Sequence, residues 1–83
     1  HYLNKINPVF FLNEELINTL EAFFHSNLNV SKTAKNLFIH RNTLQYRLNK
    51  IKSMTGWDPQ CFHEAVNLYL AIMLYKYHEA KPD

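Results

Sequence analysis

LFIHRNTLQYRLNKI, residues 37–51, carries the clearest structural signal in this 83-residue chain. Leu44, Leu48 and Ile51 recur at the spacing of one face of an α-helix, which has about 3.6 residues per turn. The residues between them are amides, hydroxyls, an aromatic and bases, without one acid. The spacing therefore predicts a helix over residues 41–54, with an apolar stripe facing a core and a polar face free of negative charge.

Two helices are expected before this one. Asn13 can cap the first, residues 14–25, in which Glu14 and Glu15 lie where the helix dipole favours acids. Ser31 can cap the second, a short helix that continues through residue 38. The inward side of this short helix is expected to consist of Ala34, Leu37 and Phe38.

A long helix is expected at the C-terminal end. Gly56 can end the helix over residues 41–54 in a left-handed conformation. Asp58 can then cap the last helix, with Pro59 at its first position, where the missing N–H of proline costs nothing. We expect this last helix to continue to about residue 77.

The composition predicts one small helical domain. A chain of 83 residues can build a single modest core, and 47% hydrophobic residues supply it. One Gly and three Pro leave few hairpin turns. We expect residues 1–83 to form one all-α bundle of about four helices. A lead-in over residues 1–12 should place Val9 and either Phe11 or Leu12 on the core.

The chain shows no signal for export or membrane insertion. Cys61 is the only cysteine and can form no internal disulfide. Neither a run of about 18 apolar residues nor a basic-then-apolar leader is present. We expect a cytoplasmic protein without a membrane span. Because the chain begins at His1, we also expect it to be a fragment of a longer protein.

Charge is distributed unevenly along the chain. Residues 22–57 contain six Lys and Arg and no Asp or Glu, whereas the rest contains three Lys and seven acids. The local charge is +6 against −4, which together give the net +2. Such asymmetry is typical of a surface that binds nucleic acid, although a solvated basic face without a partner is the simpler alternative.

Residues 31–54 have the pattern of a helix-turn-helix, two short helices joined by a tight turn. In that motif the first helix braces the DNA backbone and the second enters the major groove. Asn and Gln amides can pair there with adenine, and an Arg guanidinium with guanine. The pattern therefore predicts binding of double-stranded DNA through the helix over residues 41–54.

A family resemblance points the same way. Residues 33–56, TAKNLFIHRNTLQYRLNKIKSMTG, follow ELINTLEAFF and precede an apolar helix. This arrangement resembles the C-terminal DNA-binding domain of PucR- and CdaR-type bacterial transcription regulators. The resemblance implies operator DNA as the partner. It also implies an N-terminal sensor domain, absent from this fragment, that responds to a small metabolite such as a purine breakdown product or a sugar diacid.

Candidate contacts follow from the resemblance and from the helical wheel. The base-reading set comprises Arg41, Asn42, Gln45, Tyr46 and Asn49. The phosphate-contacting set comprises Ser31, Lys32, Thr33, His40, Thr43, Arg47 and Lys50. Plainer roles stay open at some positions, since His40 can cap the helix and Thr43 can stabilise its first turn. The stem of Arg47 can pack at the edge of the apolar stripe while its guanidinium reaches outward.

Apolar residues of the last helix exceed what one buried stripe can use. One side carries five of them, Phe62, Ala65, Val66, Tyr69 and Met73, and other sides carry Leu68, Leu74 and Tyr75. A domain this small can cover one face of a helix only, so the surplus predicts contact with a second copy or with the missing domain. Tolerated surface residues are the simpler alternative. A homodimer would suit a two-fold operator.

No catalytic constellation is apparent. Cys61 and His63 lack the paired spacing of a zinc site, and Gly56, as the only glycine, excludes a glycine-rich phosphate loop. We expect neither enzyme activity nor a metal or cofactor. The alternative to DNA binding is a helical module whose basic face docks an acidic protein or RNA, and a salt-sensitive preference for duplex DNA would argue against it.

Overall fold

The computed structural model describes residues 6–80, which contain five α-helices and no strand. This architecture confirms the expected all-α class and the long C-terminal helix. The extra helix is one short helical turn at residues 9–12 of the predicted lead-in, whose residues 1–5 lie outside the described range. The helices are α1 (Val9–Leu12), α2 (Glu14–His25), α3 (Val30–Leu37), α4 (Arg41–Thr55) and α5 (Phe62–Ala80).

Asparagine side chains start both α2 and α3. Asn13 Oδ1 accepts the backbone N–H of Leu16 at 3.0 Å, as predicted for the start of α2. For α3 the predicted cap, Ser31, is wrong, because Asn29 Oδ1 accepts the N–H of Lys32 at 2.8 Å. Ser31 therefore lies inside the first turn of α3, where its side chain is exposed.

The turn between α3 and α4 reverses at Phe38, which adopts the left-handed conformation with φ of +57°. The N–H of the next residue, Ile39, donates to the carbonyl of Ala34 at 3.0 Å. This reversal turns the Phe38 side chain to solvent, where it is 95% exposed. The predicted inward side is therefore right for Ala34, which is buried, and wrong for Phe38, while Leu37 is half-buried.

The connection from α4 to α5 begins as predicted and then departs from the prediction. Gly56 ends α4 with φ of +79°, a conformation that glycine adopts without strain. The carboxylate of Asp58 does not cap α5, because Oδ1 accepts the N–H of Gln60 at 2.9 Å and so closes a turn. Pro59 is buried in this turn, and α5 begins only at Phe62.

Of the residues predicted to place the lead-in on the core, Phe11 packs against it and Val9 and Leu12 do not. Phe10 is fully buried and Ile6 nearly so, whereas Val9 and Leu12 are 58% and 73% exposed. The helical turn of α1 causes this, because it points Phe10 inward and Val9 and Leu12 outward. Phe11 is half-buried and stacks on the ring of Tyr75 with centroids 4.6 Å apart.

The core is organised around α2, which contacts every other helix. It packs against α1, α3 and α4, and it contacts α5 through the rings of Phe24 and Tyr69. From α4 the core receives Leu44, Leu48 and Ile51, the stripe predicted from the sequence. None of the helices within residues 6–80 is long and apolar enough to cross a membrane.

Candidate nucleic-acid interface

The outer face of α4 is polar and accessible because its inner face is firmly anchored. Leu44, Leu48 and Ile51 are at most 1% exposed, which fixes the rotation of the helix about its axis. The side chains on the opposite side are therefore directed to solvent. The exposed members of the predicted contact set on α4 are Arg41, Asn42, Thr43, Tyr46, Asn49 and Lys50, and Gln45 is half-buried.

His40 caps α4, which confirms the capping interpretation. Its Nδ1 accepts the backbone N–H of Asn42 at 3.0 Å. An accepting Nδ1 means that a neutral ring carries its proton on Nε2. The first turn of α4 contains no acid that could neutralise the positive end of the helix dipole. The exposed ring of His40 therefore lies at a helix start that favours anions.

Thr33 cannot make the predicted phosphate contact with its side chain. It is 0% exposed, and its hydroxyl donates to the carbonyl of Asn29 at 2.7 Å. Thr33 lies on the inner side of α3. The sequence pattern did not reveal this, because a threonine can be either buried or exposed and its identity does not indicate which. In contrast, Ser31 and Lys32 are exposed in the same turn of α3.

Arg47 is directed toward α2, contrary to the prediction that its guanidinium reaches outward to a phosphate. Nη1 donates to the hydroxyl of Thr19 at 3.2 Å, and Nη2 pairs with the carboxylate of Glu15 at 3.3 Å. The side chain is only 20% exposed. An Arg47 charge that is neutralised within the protein contributes little attraction to phosphate, so its role here is to tie α4 to α2.

Gln45 belongs to a chain of three amides that includes a residue not predicted from the sequence. The Gln45 NH₂ group donates to Asn49 Oδ1 at 3.0 Å and to Gln60 Oε1 at 2.8 Å. Gln60 comes from the turn before α5, fifteen residues further along the chain. No local motif signals this pairing, which depends on how the turn folds back on α4.

The positive charges of two lysines of α4 differ in whether a nearby carboxylate compensates them. Lys52, near the end of α4, lies 3.7 Å from the carboxylate of Asp58. Lys50 is exposed and forms no ion pair with any residue of the described range, 6–80. The charge of Lys50 is therefore uncompensated within the described residues, whereas that of Lys52 is partly compensated. Within the same range no cluster of His, Cys, Asp and Glu could hold a metal ion.

Helices α3 and α4, with the left-handed turn at Phe38 between them, define a helix-turn-helix domain in an all-α bundle. Residues 16–74 match the model of the PucR C-terminal helix-turn-helix domain family. The chain belongs to this family, which confirms the resemblance drawn from residues 33–56.

Two similar proteins are named as regulators, one of them as a transcriptional activator. The carbohydrate diacid regulator of Escherichia coli strain K12 is 50% identical over 56 residues, 68% of this chain and 14% of that protein. The proline-responsive transcriptional activator PutR of Bacillus subtilis strain 168 is 44% identical over 62 residues, 75% of this chain and 15% of that protein. The chain thus spans about one seventh of the length of these two relatives.

A solved structure shares the fold. The regulator of polyketide synthase expression from Bifidobacterium adolescentis superposes with a TM-score of 0.68 at 31% sequence identity. The superposition covers 92% of this chain and 31% of that one. The five-helix arrangement therefore recurs as one part of a longer regulator.

Proposed function

We propose that this chain binds double-stranded DNA as the output domain of a transcription regulator, with α4 in the major groove. The observation that carries the proposal is the outer face of α4, which is exposed, polar and free of acids, and which three fully buried aliphatic residues hold in place. A major groove about 12 Å wide admits one such helix. Membership of a helix-turn-helix family supports the same function.

The contact residues are the predicted set with two omissions, Thr33 and Arg47. We assign the bases to Arg41, Asn42, Gln45, Tyr46 and Asn49, and the phosphates to Ser31, Lys32, His40, Thr43 and Lys50. Amides, guanidinium and phenol supply the directional bonds that distinguish base edges. The start of α4, with His40 as its cap, supplies backbone dipoles to a phosphate.

The hydrogen bonds of Gln45 with Asn49 and Gln60 restrict which groups Gln45 can offer to a base. Both hydrogens of its NH₂ group are engaged by Asn49 and Gln60, which leaves the carbonyl oxygen Oε1 available to a base. An acceptor alone pairs with an exocyclic amine, that of adenine or cytosine, rather than making the two-bond pairing of a free amide with adenine. Gln45 is therefore proposed to select an amine-bearing base in the groove.

The whole protein is proposed to be a longer, non-catalytic regulator. Relatives in which this domain is about one seventh of the length support additional sequence beyond it, which we propose to be an N-terminal sensor domain. A homodimer is proposed for the full-length protein, since a two-fold operator presents two equal half-sites. We also propose a cytoplasmic location, where the chromosome of a bacterium is accessible.

The test is a fluorescence-anisotropy titration of the fragment with random-sequence duplex DNA over a salt series, repeated with single-stranded RNA. We expect log K to fall linearly with log salt, and duplex to bind more tightly than RNA. Lys50→Ala should reduce the salt slope by about 1, because one phosphate contact is lost. Arg47→Ala and the control Lys76→Ala, on α5, should leave the slope unchanged.

Two outcomes would overturn the proposal. Non-specific binding is expected near 10⁻⁴ to about 10⁻⁶ M for DNA-binding domains and should be tighter at low salt. Absence of duplex binding at low salt and about 100 µM protein would exclude a phosphate-binding surface. Tighter binding to RNA would favour the alternative, an interaction module that uses the same basic face.

A further inference from the structure

One face of α5 is apolar and largely exposed within residues 6–80. The helix buries Ala65, Leu68, Ala71 and Ile72 against the rest of the bundle. The neighbouring face exposes between 39% and 68% of each of its side chains, several of them aromatic. We call it the α5 apolar face, and it consists of Phe62, Val66, Tyr69, Leu70, Met73 and Tyr77.

These side chains form a continuous strip. At about 100° per residue they fall within an arc of about 100°, and at about 1.5 Å per residue they extend over about 22 Å. Leu74, 58% exposed, borders the strip. Lys76 lies on the other border, and its charge is paired with Glu21 of α2. The strip contains no acid or base that would oppose its burial in an apolar contact.

The area of the strip matches the requirement of a small dimer. Its six residues expose on the order of 600 Å², which is at the upper end for the largest apolar patch on a typical monomer. Two copies placed face to face would bury at most about 1,200 Å² in total from these residues, which reaches the lower bound for a specific and stable interface. A face of this size is larger than scattered surface residues would produce.

The order of residues along the strip is close to two-fold symmetric. Its midpoint lies between Tyr69 and Leu70, aromatic rings stand at both ends in Phe62 and Tyr77, and Val66 and Met73 lie at equal distances from the midpoint. In an antiparallel pair with its axis at the midpoint, Phe62 lies opposite the partner's Tyr77, and Tyr69 lies opposite the partner's Leu70. Such reciprocal contact is the property of an isologous interface.

A groove beside the strip offers a place for the partner's ring. It has a volume of about 380 Å³ and is lined mainly by apolar side chains, among them Phe24, Leu28, Phe62 and Val66. In the antiparallel pair the partner's Tyr77 comes to the Phe62 end of α5, where the groove lies. An aromatic anchor that fills a groove on the opposing copy is a common energetic centre of protein interfaces.

We infer that the α5 apolar face is the self-association surface of this protein, and that it pairs with the same face of a second copy in antiparallel orientation. The inference rests on the homodimer included in the proposed function, and it specifies which surface forms it. Self-association through α5 needs no DNA, so it can fail or succeed independently of DNA binding.

The experiment uses sedimentation equilibrium of the fragment and of two charge variants at Leu70, which is 53% exposed and lies beside the two-fold axis. The unsubstituted chain should shift from monomer to dimer as its concentration is raised to about 1 mM. Leu70→Glu and Leu70→Lys should each be monomeric, because like charges would face each other across the axis. A 1:1 mixture of the two variants should recover dimers, because the charges are then opposite.

Leu12→Glu is the matched control, an equally polar change at a side chain 73% exposed on α1. It should leave the dimer intact. Circular dichroism of each variant verifies the helical fold. A monomeric unsubstituted chain would overturn the inference and indicate that another part of the protein covers α5. Dimers of either Leu70 variant alone would overturn it equally. If monomeric L70E still bound random duplex DNA, DNA binding would be shown not to require self-association through α5.

Discussion

At the scale of single residues, Phe38 is the most informative position of the fold. It holds the left-handed conformation that turns α3 into α4, and its ring is 95% exposed. A side chain other than glycine costs about 1 to 2 kcal/mol in this conformation. The residue therefore contributes strain without compensating burial, and the sequence pattern, which placed Phe38 on the inward side, could not show it.

Replacing Phe38 by glycine should leave the free energy of unfolding unchanged or raise it by up to about 1 kcal/mol. The relief of strain is partly offset by the extra freedom that glycine gives the unfolded chain, about 0.4 to 1 kcal/mol. Urea denaturation measures the effect. Tyr46→Gly is the control, since Tyr46 is 65% exposed in the interior of α4, where glycine costs about 1 kcal/mol. A loss above about 1 kcal/mol in F38G would contradict the explanation by strain.

At the scale of elements, the helices that carry strong local signals were predictable to within a residue. The predicted bounds of α2 are the observed ones, and α4 ends one residue later than predicted. Asn13, His40 and Gly56 each act within one helical turn of their own position, so a short window of sequence contains the whole cause. The apolar stripe of α4 was predictable for the same reason.

Elements whose bounds depend on competing or distant partners were not predictable. Ser31 and Asn29 can both cap a helix, and nothing in the local sequence decides between them. Asp58 and Pro59 form a well-known helix start, yet the backbone N–H of Asp58 donates to Glu64 Oε1 at 2.7 Å and Pro59 is buried. These contacts hold the segment as a turn. The candidate site shows the same limit, since Arg47 is diverted by Glu15, distant in sequence.

The turn before α5 should influence which base Gln45 selects, because Gln60 in this turn accepts one of the Gln45 amide hydrogens. Gln60→Ala frees that hydrogen for a base acceptor. We expect the preference to change at one base pair, the same pair at which Gln45→Ala relaxes specificity at a cost of about 1 to 3 kcal/mol. Binding to every single base-pair variant of a selected site measures both profiles.

The control for this prediction is Asn18→Ala, which removes an exposed amide from α2. It should leave the base-pair profile unchanged. Changes at different base pairs in Q60A and Q45A would show that the two amides act separately. An unchanged profile in Q60A would show that the bond to Gln60 is broken when the domain binds DNA.

At the scale of the whole molecule, some charged side chains form ion pairs between helices and others are exposed without a partner among the described residues. Glu15 pairs with Arg47 and Glu21 with Lys76, so these two carboxylates of α2 neutralise charges at the joints between helices. Lys32 on α3 and Lys50 on α4 are exposed and form no ion pair within residues 6–80, so their field would attract phosphate over a Debye length of about 10 Å. The apolar face of α5 is thereby left as the second functional surface, distinct in chemistry from the first.

If the outer face of α4 binds DNA and the α5 apolar face forms the dimer, dimerisation and DNA binding should strengthen each other. A dimer joined through α5 carries two copies of α4, so an inverted repeat of a selected half-site engages both at once. The second contact is then intramolecular, and such linkage raises apparent affinity by on the order of 100-fold or more without new contacts. The same dimer gains nothing on a duplex with a single half-site.

Leu70→Glu should therefore abolish the advantage of the inverted repeat and leave the affinity for a single half-site unchanged. Anisotropy titrations on both duplexes, at protein concentrations below the dimer dissociation constant of the free chain, measure the ratio of the two affinities. The control Leu12→Glu should keep the ratio of the unsubstituted chain. If L70E binds the repeat as tightly as that chain, DNA rather than α5 brings the copies together, and the exposed apolar face serves another contact.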